Sequence, residues 1–78
     1  MRRMSVVQLE SGQTGVVISI KGGRGLLARL EALGIRVGVR VRKMTGQLLK
    51  GPVTVQVGGT QLAIGFGMAA RIIVEVDE

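Results

Sequence analysis

The stretch GPVTVQVGGTQLAIGFGMAA, residues 51–70, decides between two folds. It carries no charged side chain, and its length suffices for a bilayer-spanning helix. Its composition points elsewhere. Pro52, Gln56, Gly58, Gly59 and Gln61 break any apolar helix, and the remaining residues follow a period of two. Val53, Val55 and Val57 alternate with Thr54 and Gln56, while Leu62 and Ile64 alternate with Gln61, Ala63 and Gly65. Between these runs, Gly58-Gly59 is a two-residue hairpin signal in which both glycines can take positive φ. The stretch therefore reads as two strands and a turn, with Gly67-Met68-Ala69-Ala70 as a single helical turn behind them.

Outward from this hairpin, the same period recurs. Ile72, Val74 and Val76 predict a last strand, and Val39 and Val41 alternate with Arg40 and Arg42 in a strand with a basic outer face. Val16, Ile18 and Ile20 alternate with Val17, Ser19 and Lys21, which predicts the first strand with the former set on one face. Met4 to Leu9 begins apolar and is broken by Ser11-Gly12-Gln13. After the flexible turn Gly22-Gly23-Arg24-Gly25, Leu26, Leu30 and Leu33 fall at helical spacing with Leu27 beside them. Gly34 then stands where a left-handed residue would stop the helix. Thr45 to Gly51 reads as a loop holding Leu48 and Leu49. The expectation is one mainly β domain over residues 1–78: a small SH3-like barrel of about five strands, with one short α-helix after the first barrel strand. An open sheet covered by the helix is the structural alternative.

Composition narrows function by exclusion. With neither His nor Cys, the chain has no imidazole proton shuttle, no thiol nucleophile and no soft metal ligand. Ser5, Ser11 and Ser19 have no evident base, and the only acidic cluster, Glu75, Asp77 and Glu78, sits at the C-terminus. Two glycine-rich segments, Gly23 to Ala28 and Gly65 to Ala70, match a dinucleotide fingerprint. No acidic residue follows about 20 positions on to hold a ribose, and the chain is too short for a doubly wound sheet. The expectation is no catalysis, no cofactor, no metal and no small-molecule substrate. Gln8 and Glu10 interrupt the apolar core of any signal peptide that Arg2 and Arg3 would open, which predicts a cytoplasmic protein.

What remains is binding. Hydrophobic residues make up 46% of the chain and mean hydropathy is +0.42, more than so small an interior can absorb. Some apolar surface is then left for a partner or for a homo-oligomer. Eleven basic side chains against five acidic ones give a net charge of +6, a field that favours acidic partners. Arg36, Arg40, Arg42, Lys43 and Lys50 compose a patch able to track phosphates, which makes a small basic RNA- or ribosome-associated barrel the alternative function. Single-strand binding relies on aromatic stacking, however, and Phe66 is the chain's only aromatic residue, so no specific nucleic acid is expected. Arg24 or Arg36 could serve a partner GTPase as an arginine finger.

Read in order, the chain resembles the FeoA family of ferrous-iron transport accessory proteins. Leu9, Gly12, Gly15, Val17 and Ile20 are similar to the family's opening loop and strand. The segment Arg29-Leu30-Glu31-Ala32-Leu33-Gly34-Ile35, followed by Gly38, resembles its helix and Leu-Gly-Ile turn. Gly51-Pro52-Val53, Val57-Gly58-Gly59 and Leu62-Ala63-Ile64-Gly65 look like its central hairpin, and Gly67-Met68-Ala69 with Ile72 and Val74 like its closing turn and strand. The resemblance implies an SH3-like barrel in the cytoplasm with a non-catalytic role beside FeoB. FeoB is the membrane transporter with a GTPase domain, and it would recruit the chain to the inner membrane face. No family residues carry over as ligands or catalysts. The residues themselves suggest Leu48 and Leu49 on their loop and Phe66 at its glycine-flanked corner, with Arg40 and Arg42 nearby, as the partner-binding set. Gly34, Gly58 and Gly59 are expected to serve as structural turns.

Overall fold

A computed structural model of the chain describes residues 1–45 and 51–76. Six strands form one antiparallel sheet: β1 (Arg2–Ser5), β2 (Thr14–Ile20), β3 (Arg40–Thr45), β4 (Val53–Val57), β5 (Thr60–Ile64) and β6 (Ile72–Val76). Their order across the sheet is β1-β6-β2-β3-β4-β5. A 3-10 helix, Val6–Gln8, follows β1; α1 (Arg24–Ala32) joins β2 to β3; and α2 (Phe66–Ala69) joins β5 to β6. Cα extents of 29 × 27 × 23 Å are nearly equal, so the sheet curls around its core instead of lying flat. It does not close. Among the described residues β1 and β5 remain separate edges, and "barrel" names the curvature, not a continuous ring of hydrogen bonds.

The count exceeds the expected five strands by β1. Arg2-Arg3-Met4-Ser5 lacks alternation of its own and becomes a strand by pairing with the far end of the chain, from Arg2 opposite Val76 to Ser5 opposite Ile73. Residues 51–70 form the hairpin and the helical turn that their period indicates. No helix among the described residues is long and apolar enough to cross a membrane.

The core comprises alternate strand residues and a few loop anchors. Val53 and Val55 of β4 and Ile72, Val74 and Val76 of β6 are buried, as period two requires. β2 departs from the expected face. Val17 is buried, whereas Val16 and Ile18 are only half-buried. The reason is a bulge: Val17 faces Val74 and Ser19 faces Ile73, so Ile18 is one extra residue and the inward phase changes there. Before the bulge Gly15 and Val17 point inward; after it Ile20 does, opposite Ile72. Gly15 leaves no room for a side chain, because a Cβ there would lie 2.7 Å from Cγ2 of Val74.

α1 presents Leu30, fully buried, and Leu26, half-buried against the core; Leu33, one turn on, is 39% exposed. Gly34 has φ +89°, and two hydrogen bonds close the helix around it: Gly34 N–H to the Glu31 carbonyl and Ile35 N–H to the Leu30 carbonyl, both 2.9 Å. This is a Schellman stop, and its usual apolar contact falls to Leu30 and Ile35, both buried completely. At the β4–β5 turn only Gly58 takes positive φ, at +60°; Gly59 does not, which is the arrangement of a type II′ turn.

Candidate functional site

The bulge-adjusted registers fix which side chains share the outer face of the sheet. Arg3 pairs with Glu75, Glu75 with Val16, and Val16 with Arg40, so these four form one row across β1, β6, β2 and β3. Two residues along, Thr14, Arg42, Gln56 and Gln61 form a second row across β2 to β5. Arg40 and Arg42 therefore stand side by side on one face, both exposed. Arg42 is oriented by its neighbour loop, its Nε donating to the Gly12 carbonyl at 3.2 Å. Arg3 reaches Glu75 with Nε at 3.4 Å from Oε2, but its side chain is 72% exposed and water screens the pair. Met1, Thr14, Gly15, Val16, Arg40 and Glu75 line a shallow, open cleft of about 350 Å³ on this face.

Lys43 belongs to the opposite face. It is only 4% exposed, and its Nζ donates to the carbonyls of Val7 and Leu9, both at 2.8 Å. Burial lowers its pKa below the ordinary 10.5. One carbonyl lies within the 3-10 helix and the other on its C-cap residue, so Lys43 ties that segment to the middle of the sheet. It cannot track phosphates, and the five-residue basic patch loses this member. The signal was available: Val41 points inward, and two residues later in a strand points inward too. Arg36 remains exposed ahead of β3; Lys50 lies outside the described residues.

Of the expected partner-binding residues, Arg40 and Arg42 come together as described. Leu48 and Leu49 lie outside the described residues. Phe66 is not part of the arginine rows: it opens α2, half-buried, while Ala69 of the same turn is fully buried and Met68 packs on the core. The placement of Thr14, Arg3 and Glu75 beside Arg40 escaped sequence reasoning, because only the long-range pairing of β1, β6 and β2 creates it. Among the described residues no three of His, Cys, Asp and Glu cluster to hold a metal ion. The arrangement offers exposed guanidinium groups on a firm sheet, suited to attracting an acidic surface.

Comparison with known proteins gives this surface a context. A sequence model of the FeoA domain matches residues 4–76. Over 66 residues the chain is 35% identical to a Methanocaldococcus jannaschii protein named for Fe(2+) transport, covering 85% of this chain and 78% of that one. It resembles the crystal structure of Stenotrophomonas maltophilia FeoA complexed with zinc, described as an SH3-domain protein. The TM-score is 0.78 and the identity 30%, over 92% of this chain and 89% of that one. An iron uptake regulatory protein (FeoA) superposes with a TM-score of 0.86 at 28% identity, over 96% of this chain and 97% of its own.

Proposed function

Because the chain belongs to the FeoA-domain family, we propose that it is a non-catalytic accessory protein of ferrous-iron uptake that binds FeoB from the cytoplasmic side and modulates transport. The relatives' names supply the transport context: Fe(2+) transport for the Methanocaldococcus protein and, as a role suggested for it, ferrous iron transport activation for the Stenotrophomonas one. The observation that carries the reading is the pair Arg40 and Arg42, exposed side by side on the outer face of β3.

Such a pair steers the domain toward an acidic patch on the transporter and acts mainly on the rate of encounter. Apolar anchors from Leu48, Leu49 and Phe66 prolong the contact once made. The protein works in the cytoplasm and is held at the inner membrane face only through its partner, with neither cofactor nor small-molecule substrate.

Pull-down of FeoB and ferrous-iron uptake, in cells lacking the native protein, test this with Leu48→Ser/Leu49→Ser and Phe66→Ala. Both variants are expected to weaken capture and uptake while keeping their melting transitions. A folded leucine variant with full capture and full uptake would remove the loop from the surface, and a Phe66→Ala protein that unfolds would return that ring to the core.

A further inference from the structure

The two sheet edges differ in a way that bears on self-association. β1 ends the sheet with Arg2 and Arg3, charges that discourage any further strand. β5 ends it with Thr60-Gln61-Leu62-Ala63-Ile64, and no charged residue occurs anywhere from 51 to 70. It has no proline and no bulge against β4, and so lacks the usual guards of an exposed edge.

The register identifies which backbone groups this edge offers. Val57 and Thr60 close a two-residue turn as a hydrogen-bonded pair, and pairs alternate from there. Thr60, Leu62 and Ile64 therefore direct their amides and carbonyls to β4, while Gln61 and Ala63 direct theirs away from it. No backbone hydrogen bond occupies those outward groups among the described residues.

We infer that β5 pairs antiparallel with β5 of a second copy of this chain, about a two-fold axis at Leu62. In that register Gln61 exchanges both backbone hydrogen bonds with Ala63 of the second copy, and Ala63 with its Gln61. Leu62 then directly faces the same residue of the second copy in a non-hydrogen-bonded pair, the closer of the two spacings. It is half-buried against the core in one chain, and pairing covers its remaining surface.

Charge selects this occupant. A chain of net charge +6 repels its copies, and the β4–β5 hairpin, which has no charged side chain, brings no further like charges to the contact. An acidic partner segment finds no complement at β5; its complement is the arginine pair on β3. The contact is small, so association is weak and depends on concentration.

The test uses the purified protein, with FeoB capture as a control. The chain has no cysteine, so Leu62→Cys reports on this contact without background, since Cα atoms of such facing pairs lie within disulfide reach. Mild oxidation of Leu62→Cys is expected to give a covalent dimer several-fold faster than Ser19→Cys, which sits exposed in the middle of the sheet. Ala63→Pro deletes an outward N–H and leaves the β4 ladder intact; it is expected to fold and to sediment as a monomer at concentrations where the parent chain associates. Equal cross-linking at both cysteines, or a parent chain that stays monomeric at high concentration, overturns the inference. So does an Ala63→Pro protein that associates like the parent but loses capture by FeoB, which would give the edge to the transporter.

Discussion

Arg42 and Lys43 are consecutive residues of one strand with opposite fates. Arg42 lies in the solvent-facing row, lightly held by the Gly12 carbonyl; Lys43 lies inside, its ammonium shared between the Val7 and Leu9 carbonyls. The same formal charge is open to solvent on one face and an internal strut on the other. Counting basic residues thus overstates the field a partner meets, and the parity of a strand decides which charges are available.

The sharpest way to break this contrast is Lys43→Glu. It would place a carboxylate against two carbonyl oxygens with no donor between them, in a domain whose whole stability is on the order of 5 kcal/mol. Far-UV circular dichroism is expected to show a largely unfolded chain; a native spectrum would mean the side chain escapes to solvent. Lys43→Met is gentler. It keeps the volume and strands the two carbonyls, at about 1–3 kcal/mol. A thermal melt should fall by several degrees with no loss of partner capture by the folded fraction. Arg42→Met, by contrast, should leave the melt nearly unchanged.

Gly34→Val comes next in size. A β-branched side chain at φ +89° costs at least about 1 kcal/mol and loosens the Leu30–Ile35 contact. An unaltered melting curve would mean the Schellman stop contributes little to the fold.

The smallest expected effect is on pH. Lys43 has a folded pKa below its unfolded value, so between the two the unfolded chain binds more protons. Stability contributed through this group therefore rises as pH rises from the lowered value toward 10.5, and is lost on returning to neutral pH. Denaturant titrations at several alkaline pH values should show this rise in the parent relative to Lys43→Met. Parallel curves for the two proteins would mean that the carbonyls hold the proton as firmly as water does.

How far the chain could be read follows from the range of the interactions involved. β4, β5 and β6 announce themselves because each is a local alternation of Val, Leu or Ile, and Gly34 because a helix stop is written within a few residues. β1 is silent, since Arg2 to Ser5 becomes a strand only against residues more than sixty positions away. In β2 the alternation misleads: three evenly spaced aliphatics suggest one face, and the extra residue at Ile18 shifts the phase between them. At the candidate site, Arg40 and Arg42 were legible as one strand's outer face. Their neighbours Thr14, Arg3 and Glu75 were not, because cross-strand pairing has no local signature. Lys43 was legible in principle, but its type argued for the surface more loudly than its parity argued for the core.

The proposed role of the outer face of β3 is to recruit the transporter. Binding kinetics of Arg40→Glu/Arg42→Glu against immobilised FeoB, at low and at physiological salt, test it most directly. The double variant should melt within about 0.5 kcal/mol of the parent. Its association rate should fall steeply at low salt, its dissociation rate should change little, and the gap should narrow as salt screens the parent's charges. Association as fast as the parent's at both salt concentrations would contradict the account.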